Sequence, residues 1–186
     1  NYRDIDQFFN APYYWRATDR YAPHNVYTSF EKLDALNQAK GYTESSFEGF
    51  ARIDGKPSST PNATSIDLNF SSALYNTHYD YDTASNTYLR SIGGAPSEDR
   101  ESGRIMPSVV VAMKVDMTRV LEDGYRESIV TTGSGPAVIF QNGIVTEATW
   151  QKDSRAAPLR FIGADGKPIP LVRGQTWIGA VPNGSG

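Results

Sequence analysis

Residues 108–115 constrain the fold of this chain more than any other stretch. Side chains alternate between the two faces of a strand, so Val109, Val111, Met113 and Val115 share one face. Val110 and Ala112 leave the opposite face largely apolar as well. A strand that is apolar on both sides has to be covered on both, and the segment is therefore predicted to be a central strand.

Residues 65–94 carry the second strong pattern. Ile66, Leu68 and Phe70 alternate with Asp67 and Asn69, which reads as one half-buried strand. Tyr79 and Tyr81 separate in the same way from His78, Asp80 and Asp82, and a turn over 83–86 leads into a return strand over 87–92, which makes a hairpin. Further along, Asp123-Gly124, Asn142-Gly143 and Asp165-Gly166 each sit between β-rich segments. Such pairs supply the positive φ angles that tight two-residue turns require. The strands around them are read at 127–131, 137–141, 144–150, 159–162, 169–172 and 176–181, with Gly133-Ser134-Gly135 as a turn. Pro168 and Pro170 mark a strand start or an edge.

Helical signals are fewer. Thr28 and Glu31 have capping-box spacing, Phe30, Leu33 and Leu36 mark one face, and Gly41 suits a left-handed stop. Ile5, Phe8 and Phe9 add one or two turns that Pro12 ends. The fold class read from these elements is α+β: a mixed or antiparallel, sheet-rich single domain over 1–182 with one or two covering helices, and 183–186 as a flexible tail. A chain of 186 residues is long enough to bury one sizeable core.

Composition narrows the function. With 18 basic against 21 acidic side chains and a net charge of -3, the chain lacks the clustered Lys and Arg of a nucleic-acid footprint. It has no cysteine, which removes disulfides, thiolate catalysis and cysteine-ligated metals. The chain starts at Asn1 with neither Met nor an apolar leader, so any targeting signal is expected to have been removed.

Several polar groupings invite a chemical reading. His78, Asp80 and Asp82 share a strand face and are of metal-ligand type. Residues four apart on a strand lie roughly 13 Å apart, however, so one ion does not reach both His78 and Asp82, and Asp82 reads better as the cap of its own turn. Ser134 lacks the strand-to-helix elbow of a nucleophile and has only His24 or His78 as a base. Glu98, Asp99 and Glu101 lie on a polar loop with nothing apolar nearby to raise a carboxyl pKa. Asn62 and Asn69 each open a glycosylation tripeptide, a pattern common by chance. No catalytic residue, metal ligand or cofactor is assigned.

Residues 15–25 are different. They pack two Arg, an Asp, a His and an Asn among aromatics, which makes either a hydrogen-bonded corner or a ligand-facing surface. The second reading joins Trp15, Arg20, His24 and Asn25 with Arg90 of the hairpin: donors suited to carboxylates or sugar hydroxyls, beside an aromatic face. Arg90 shares its strand face with Tyr88, so that face has to be open for the guanidinium to meet a ligand.

These motifs follow a familiar order. Trp15-Arg-Ala-Thr-Asp-Arg-Tyr-Ala-Pro-His-Asn-Val-Tyr-Thr-Ser, Tyr79-Asp-Tyr-Asp, Tyr88-Leu-Arg-Ser, Gly133-Ser-Gly-Pro-Ala, Thr149-Trp-Gln-Lys and Gly174-Gln-Thr-Trp-Ile-Gly-Ala-Val-Pro run through nearly the whole chain. In them the chain resembles the YerB-like family of bacterial lipoproteins, a domain of unknown function. The resemblance implies an extracytoplasmic domain held to the membrane by an N-terminal lipid that this chain does not include. It implies no chemistry. It also leads to a Pro-His-x-Asp block near Pro96, where this chain carries Ser97.

The expected function is noncatalytic binding or scaffolding in the cell envelope. The partner is a cell-wall glycan or peptide or an envelope protein, not nucleic acid, and the membrane is touched only through the anchor. A hydrolase acting on an envelope polymer and a purely structural spacer are the alternatives. A closed cleft of titratable groups favours the enzyme, whereas an open groove lined by aromatics and Arg favours the binder.

Overall fold

The computed structural model describes residues 5–119, 124 and 126–183. Packing groups the chain into two compact units, Asn1–Phe47 and Glu48–Gly186.

Val109–Val115 lies where its two apolar faces require it. In the five-stranded sheet of the second unit it is flanked by Gly133–Gln141, antiparallel, and by Thr176–Pro182, parallel. Ile144–Lys152 and Arg160–Ile162 continue the sheet beyond Gly133–Gln141. One face carries Val109, Val111, Met113 and Val115 with Ile139, Trp150 and Phe161, in one cluster with Leu171, Val172 and half-buried Phe50. On the other face Val110, Ala112 and Val181 pack against Ile66, Leu68, Tyr79 and Tyr88. Those four belong to a second sheet of Ser65–Leu68, Thr77–Asp82, Thr87–Ile92 and Ala95–Pro96. The period-2 alternation of residues 66–70 and 79–81 is thus the inner face of a sheet-on-sheet core.

The first unit carries the α-helix Phe30–Ala39 and a 3-10 turn at Ala11–Tyr13, the helical elements among the described residues. The fold is therefore β-rich α+β, with a mixed large sheet. Ser29, not Thr28, caps the helix: its hydroxyl accepts from Lys32 N–H at 3.3 Å, whereas Thr28 Oγ1 donates to Tyr13 O at 2.9 Å. Gly41 stops the helix at φ +74°. Of the expected apolar face only Leu36 is buried, and Phe30 stands exposed. Pro12 sits inside the 3-10 turn instead of ending a helix, because a first-turn residue has no N–H bond to lose.

Gly133-Ser134-Gly135 is not a turn. It opens the Gly133–Gln141 strand, opposite Lys152, Gln151 and Trp150. A Cβ on residue 135 would stand 2.6 Å from Trp150 Nε1, so the glycine makes room for an indole whose N–H donates to Lys114 O at 2.6 Å. Asn142-Gly143 forms the tight turn expected of it, with φ of 57° and 75° and Gln141 paired to Ile144. Asp165-Gly166 does not. Gly163 N–H donates to Lys167 O at 2.9 Å and Ile162 bridges Pro168, so the pair sits in a wider loop in which only Gly166 is left-handed. The Asp165 carboxylate accepts from Lys167 N–H at 3.1 Å, a side-chain turn that replaces the two-residue one. Asp123 of the third expected turn, and 184–186 of the expected tail, lie outside the described residues.

Candidate functional site

In the first unit Trp15–Arg16 pairs antiparallel with Val26–Tyr27. The residues between have no aliphatic stripe to pack, and polar bonds hold them instead. Ala17 N–H donates to Asn25 O at 2.8 Å. The buried Asn25 amide donates to Ala17 O at 2.9 Å and to Arg20 O at 3.1 Å, and its Oδ1 accepts from Arg16 Nη1 at 2.7 Å. Asn25 is therefore the pin of the loop. Trp15 is 45% exposed and stacks on Tyr27, ring centroids 6.4 Å apart.

Trp15, Arg16 and Val26 line a groove of about 340 Å³ together with Gln7, Phe8 and Tyr14. Phe8 is almost fully exposed. The groove offers aromatic faces beside a guanidinium whose position Asn25 fixes, a chemistry suited to stacking on a sugar or peptide and bonding its oxygens. Arg20 and His24 are exposed on the loop that follows. Sequence reasoning named Arg20 and passed over Arg16, Tyr14 and Phe8. An irregular loop has no period, and only the pairing of Arg16 with Val26 decides which arginine shares the groove with Trp15.

Arg90 belongs to the second unit, and the face it shares with Tyr88 turns inward, not to solvent. The ring beside its guanidinium is that of Trp177, whose centre is 4.2 Å from Cζ. Nη1 donates to buried Ser97 Oγ at 2.6 Å. Fully buried Tyr88 accepts from Gly143 N–H at 3.1 Å, and burial pushes its hydroxyl pKa up.

His78 sits between two carboxylates on the outer face of the small sheet. Nδ1 is 2.8 Å from Asp67 Oδ1 and Nε2 is 3.1 Å from Asp80 Oδ1. The hydrogen bond to Asp67, then that to Asp80, raises the imidazole pKa. Asp82 turns to its own hairpin and accepts from Ser85 Oγ and from Ala84 and Ser85 N–H, bonds that hold its pKa down. His78, Asp80 and Asp82 therefore do not converge. Asp99 likewise accepts from Ser102 and Glu101 N–H within its loop, which lowers its pKa. Ser134 lines an open groove with Thr149, Gln151 and Asp153, and no histidine is among the groove's residues.

Residues 66–178, more than half of the chain, match the family described as "Protein of unknown function (DUF3048) C-terminal domain". The chain belongs to the DUF3048 family. The matched DUF3048 segment lies within the second unit and holds Arg90 and His78, whereas the Trp15 groove lies outside it. A Bacillus subtilis (strain 168) protein named "Putative lipoprotein YerB" is 30% identical over 179 residues, covering 94% of this chain and 53% of that protein. This DUF3048 chain thus spans about half the length of the curated relative it matches. The crystal structure of the YerB protein from Bacillus subtilis is similar at a TM-score of 0.72 and 25% identity, over 92% of this chain and 57% of that one. The YerB-like resemblance and the β-rich α+β fold both stand.

Proposed function

We propose that this DUF3048 domain is a noncatalytic binding module of a membrane-anchored lipoprotein outside the bacterial cytoplasm, and that it holds cell-wall glycan or peptide in the Trp15 groove. The lipoprotein name of the Bacillus subtilis relative supports the location. The observation that carries the binding reading is the groove itself, where Trp15, Tyr14 and Phe8 flank an Arg16 held by Asn25. Aromatic faces stack on the C–H faces of sugars and on peptide planes, and a fixed guanidinium bonds carboxylates in the forked geometry that Lys cannot offer. Arg20 and His24 add donors on the adjoining loop. Asn25 acts through Arg16 and the loop backbone.

For the hydrolase alternative His78 is a poor general base, because both of its ring nitrogens are bonded to carboxylates, which favours the protonated ring. The test is calorimetric titration of the protein with soluble peptidoglycan fragments, glycan and stem peptide separately. Wild type is expected to bind at least one of them, and Trp15→Ala to lose binding while the protein stays folded. A wild-type protein that binds neither fragment overturns the reading.

A further inference from the structure

The second unit holds a cavity of about 190 Å³ that the protein's own side chains leave unfilled. Its apolar lining includes Phe50, Leu159, Phe161 and Ile169. Phe161 is fully buried, whereas Phe50, Leu159 and Ile169 are only half-buried, so apolar surface is left for another group to cover. Sites for drug-sized ligands start at about 300 Å³, and this one is therefore of a size for a single side chain.

Three chain segments make the walls, and backbone hydrogen bonds fix them to one another. Ile169 N–H donates to Phe161 O at 2.8 Å, Ile162 bridges Pro168, and Leu171 N–H donates to Ala51 O at 2.9 Å. The Phe50 and Phe161 rings stack with their centroids 5.5 Å apart. Pro158 and Pro168 also line the cavity, where their rings restrict the backbone and leave no N–H in need of a partner. The walls are thus set in advance, and little ordering is left for a ligand to impose.

Of the lining residues two are charged, one of each sign: Glu48 and Arg160. Both side chains are exposed, and Arg160 Nη2 lies 3.5 Å from Glu48 Oε2, longer than the roughly 2.7–2.9 Å of a well-formed charge-assisted bond. An exposed pair of this kind holds its partners weakly, so each head group can turn to an opposite charge brought from outside. A matching ligand carries an anion and a cation close together on a small apolar body. A free amino acid has that pattern, whereas a residue within a polypeptide presents neutral amides at both positions.

We propose that this cavity binds a free α-amino acid with an apolar side chain. The side chain enters beside Phe50, Leu159, Phe161 and Ile169, the α-carboxylate accepts from the Arg160 guanidinium, and the α-ammonium donates to the Glu48 carboxylate. The site lies wholly in the second unit, and the Trp15 groove and its ligand play no part in it.

Nuclear magnetic resonance titration of the whole chain tests this, because the Leu159 and Ile169 methyl resonances report the cavity directly. L-Leucine or L-phenylalanine at millimolar concentration is expected to shift both sets along a saturating curve. N-acetyl-L-leucine lacks the cation, L-leucinamide lacks the anion and glycine lacks the side chain, and each is expected to bind at least about tenfold more weakly than L-leucine. Arg160→Gln and Glu48→Gln alter exposed side chains, so both variants are expected to fold and to lose affinity for L-leucine by about tenfold or more. Methyl resonances that move with neither amino acid overturn the proposal, as does unchanged affinity in either variant. Equal affinity for N-acetyl-L-leucinamide also overturns it, since the cavity would then take the side chain of a polypeptide and not a free amino acid.

Discussion

Asn86 Nδ2 donates to Asn142 Oδ1 at 2.9 Å and so joins two tight turns 56 residues apart in the chain. Both asparagines are left-handed, at φ 56° and 57°, a conformation that a short polar side chain tolerates better than most. Tyr81 Oη donates to Asn86 Oδ1 at 2.7 Å, and Gly143 N–H donates to Tyr88 Oη at 3.1 Å. A turn of the large sheet is in this way stitched to the hairpin of the small one. Residues 58–63 close over the junction, with Ser58 N–H donating to Asn142 O and the N–H groups of Asn62 and Ala63 to Gly143 O.

This junction makes Gly143 a sensitive turn glycine. Its φ is +75°, and a Cβ there would meet the Tyr81 ring at 2.6 Å and Pro61 Cβ at 2.9 Å. Gly143→Ala is expected to lose about 2–4 kcal/mol, the left-handed penalty plus over-packing. Gly166 has the same φ but open space around it, so Gly166→Ala is expected to lose only about 1 kcal/mol. Urea unfolding of both variants measures the difference, and equal losses would refute the role given to packing at Gly143.

Trp150 and Gly135 form a second matched pair. Trp150→Phe leaves the Lys114 carbonyl without its indole donor inside the core and is expected to lose about 1–3 kcal/mol. Gly135→Ala is expected to displace the same indole, since the added Cβ meets Nε1 at 2.6 Å. A red shift of the buried Trp emission, together with lower stability in Gly135→Ala, checks this. Unchanged emission would show that the strand moves and the indole does not.

His78 makes stability depend on pH in a defined direction. Its folded pKa is raised by Asp67 and Asp80, so the folded state holds the proton more tightly than the unfolded chain. The stabilisation is complete below the unfolded pKa and fades as pH rises through the folded one. The stability difference between wild type and His78→Gln is therefore expected to be larger at about pH 5.5 than at about pH 8.5. The imidazole is 36% exposed, so solvent screening keeps the difference small. A difference that is flat with pH, or that grows toward high pH, would contradict the double clasp.

In the first unit Asn25 and Arg20 are expected to separate cleanly. Asn25→Ala removes a buried amide with three partners and is expected to destabilise the unit by about 1–3 kcal/mol. Arg20→Ala alters an exposed side chain and is expected to stay within about 0.5 kcal/mol. Thermal melts followed by near-ultraviolet dichroism of the Trp15 and Tyr27 pair resolve the two. A destabilised Arg20→Ala would make that arginine part of the corner and not of the surface.

Much of the fold was legible residue by residue, and the candidate sites far less so. The two apolar faces of Val109–Val115 and the alternation of Ile66 and Leu68 with Asp67 could be read because alternation along a strand is a local property, whereas the face of Tyr88 and Arg90 was read as open and is buried. The Asn142-Gly143 turn was legible because backbone sterics restrict which residues take positive φ. Asp165-Gly166 has the same pattern and did not obey it, since the Asp165 side chain offered the backbone another partner.

By itself the sequence determined the two apolar faces of the central strand, the alternation of residues 66–70, the turn at Asn142-Gly143 and the family to which the chain belongs. Only the tertiary structure decided that Asp67 would face His78, that Gly135 would yield its space to Trp150, and that Arg90 would lie under Trp177 away from solvent. Alternation and turn sterics act between neighbours in the chain, whereas strand register and sheet-on-sheet contact join residues tens of positions apart. A one-residue change of register would exchange every one of those partners while leaving the local pattern intact.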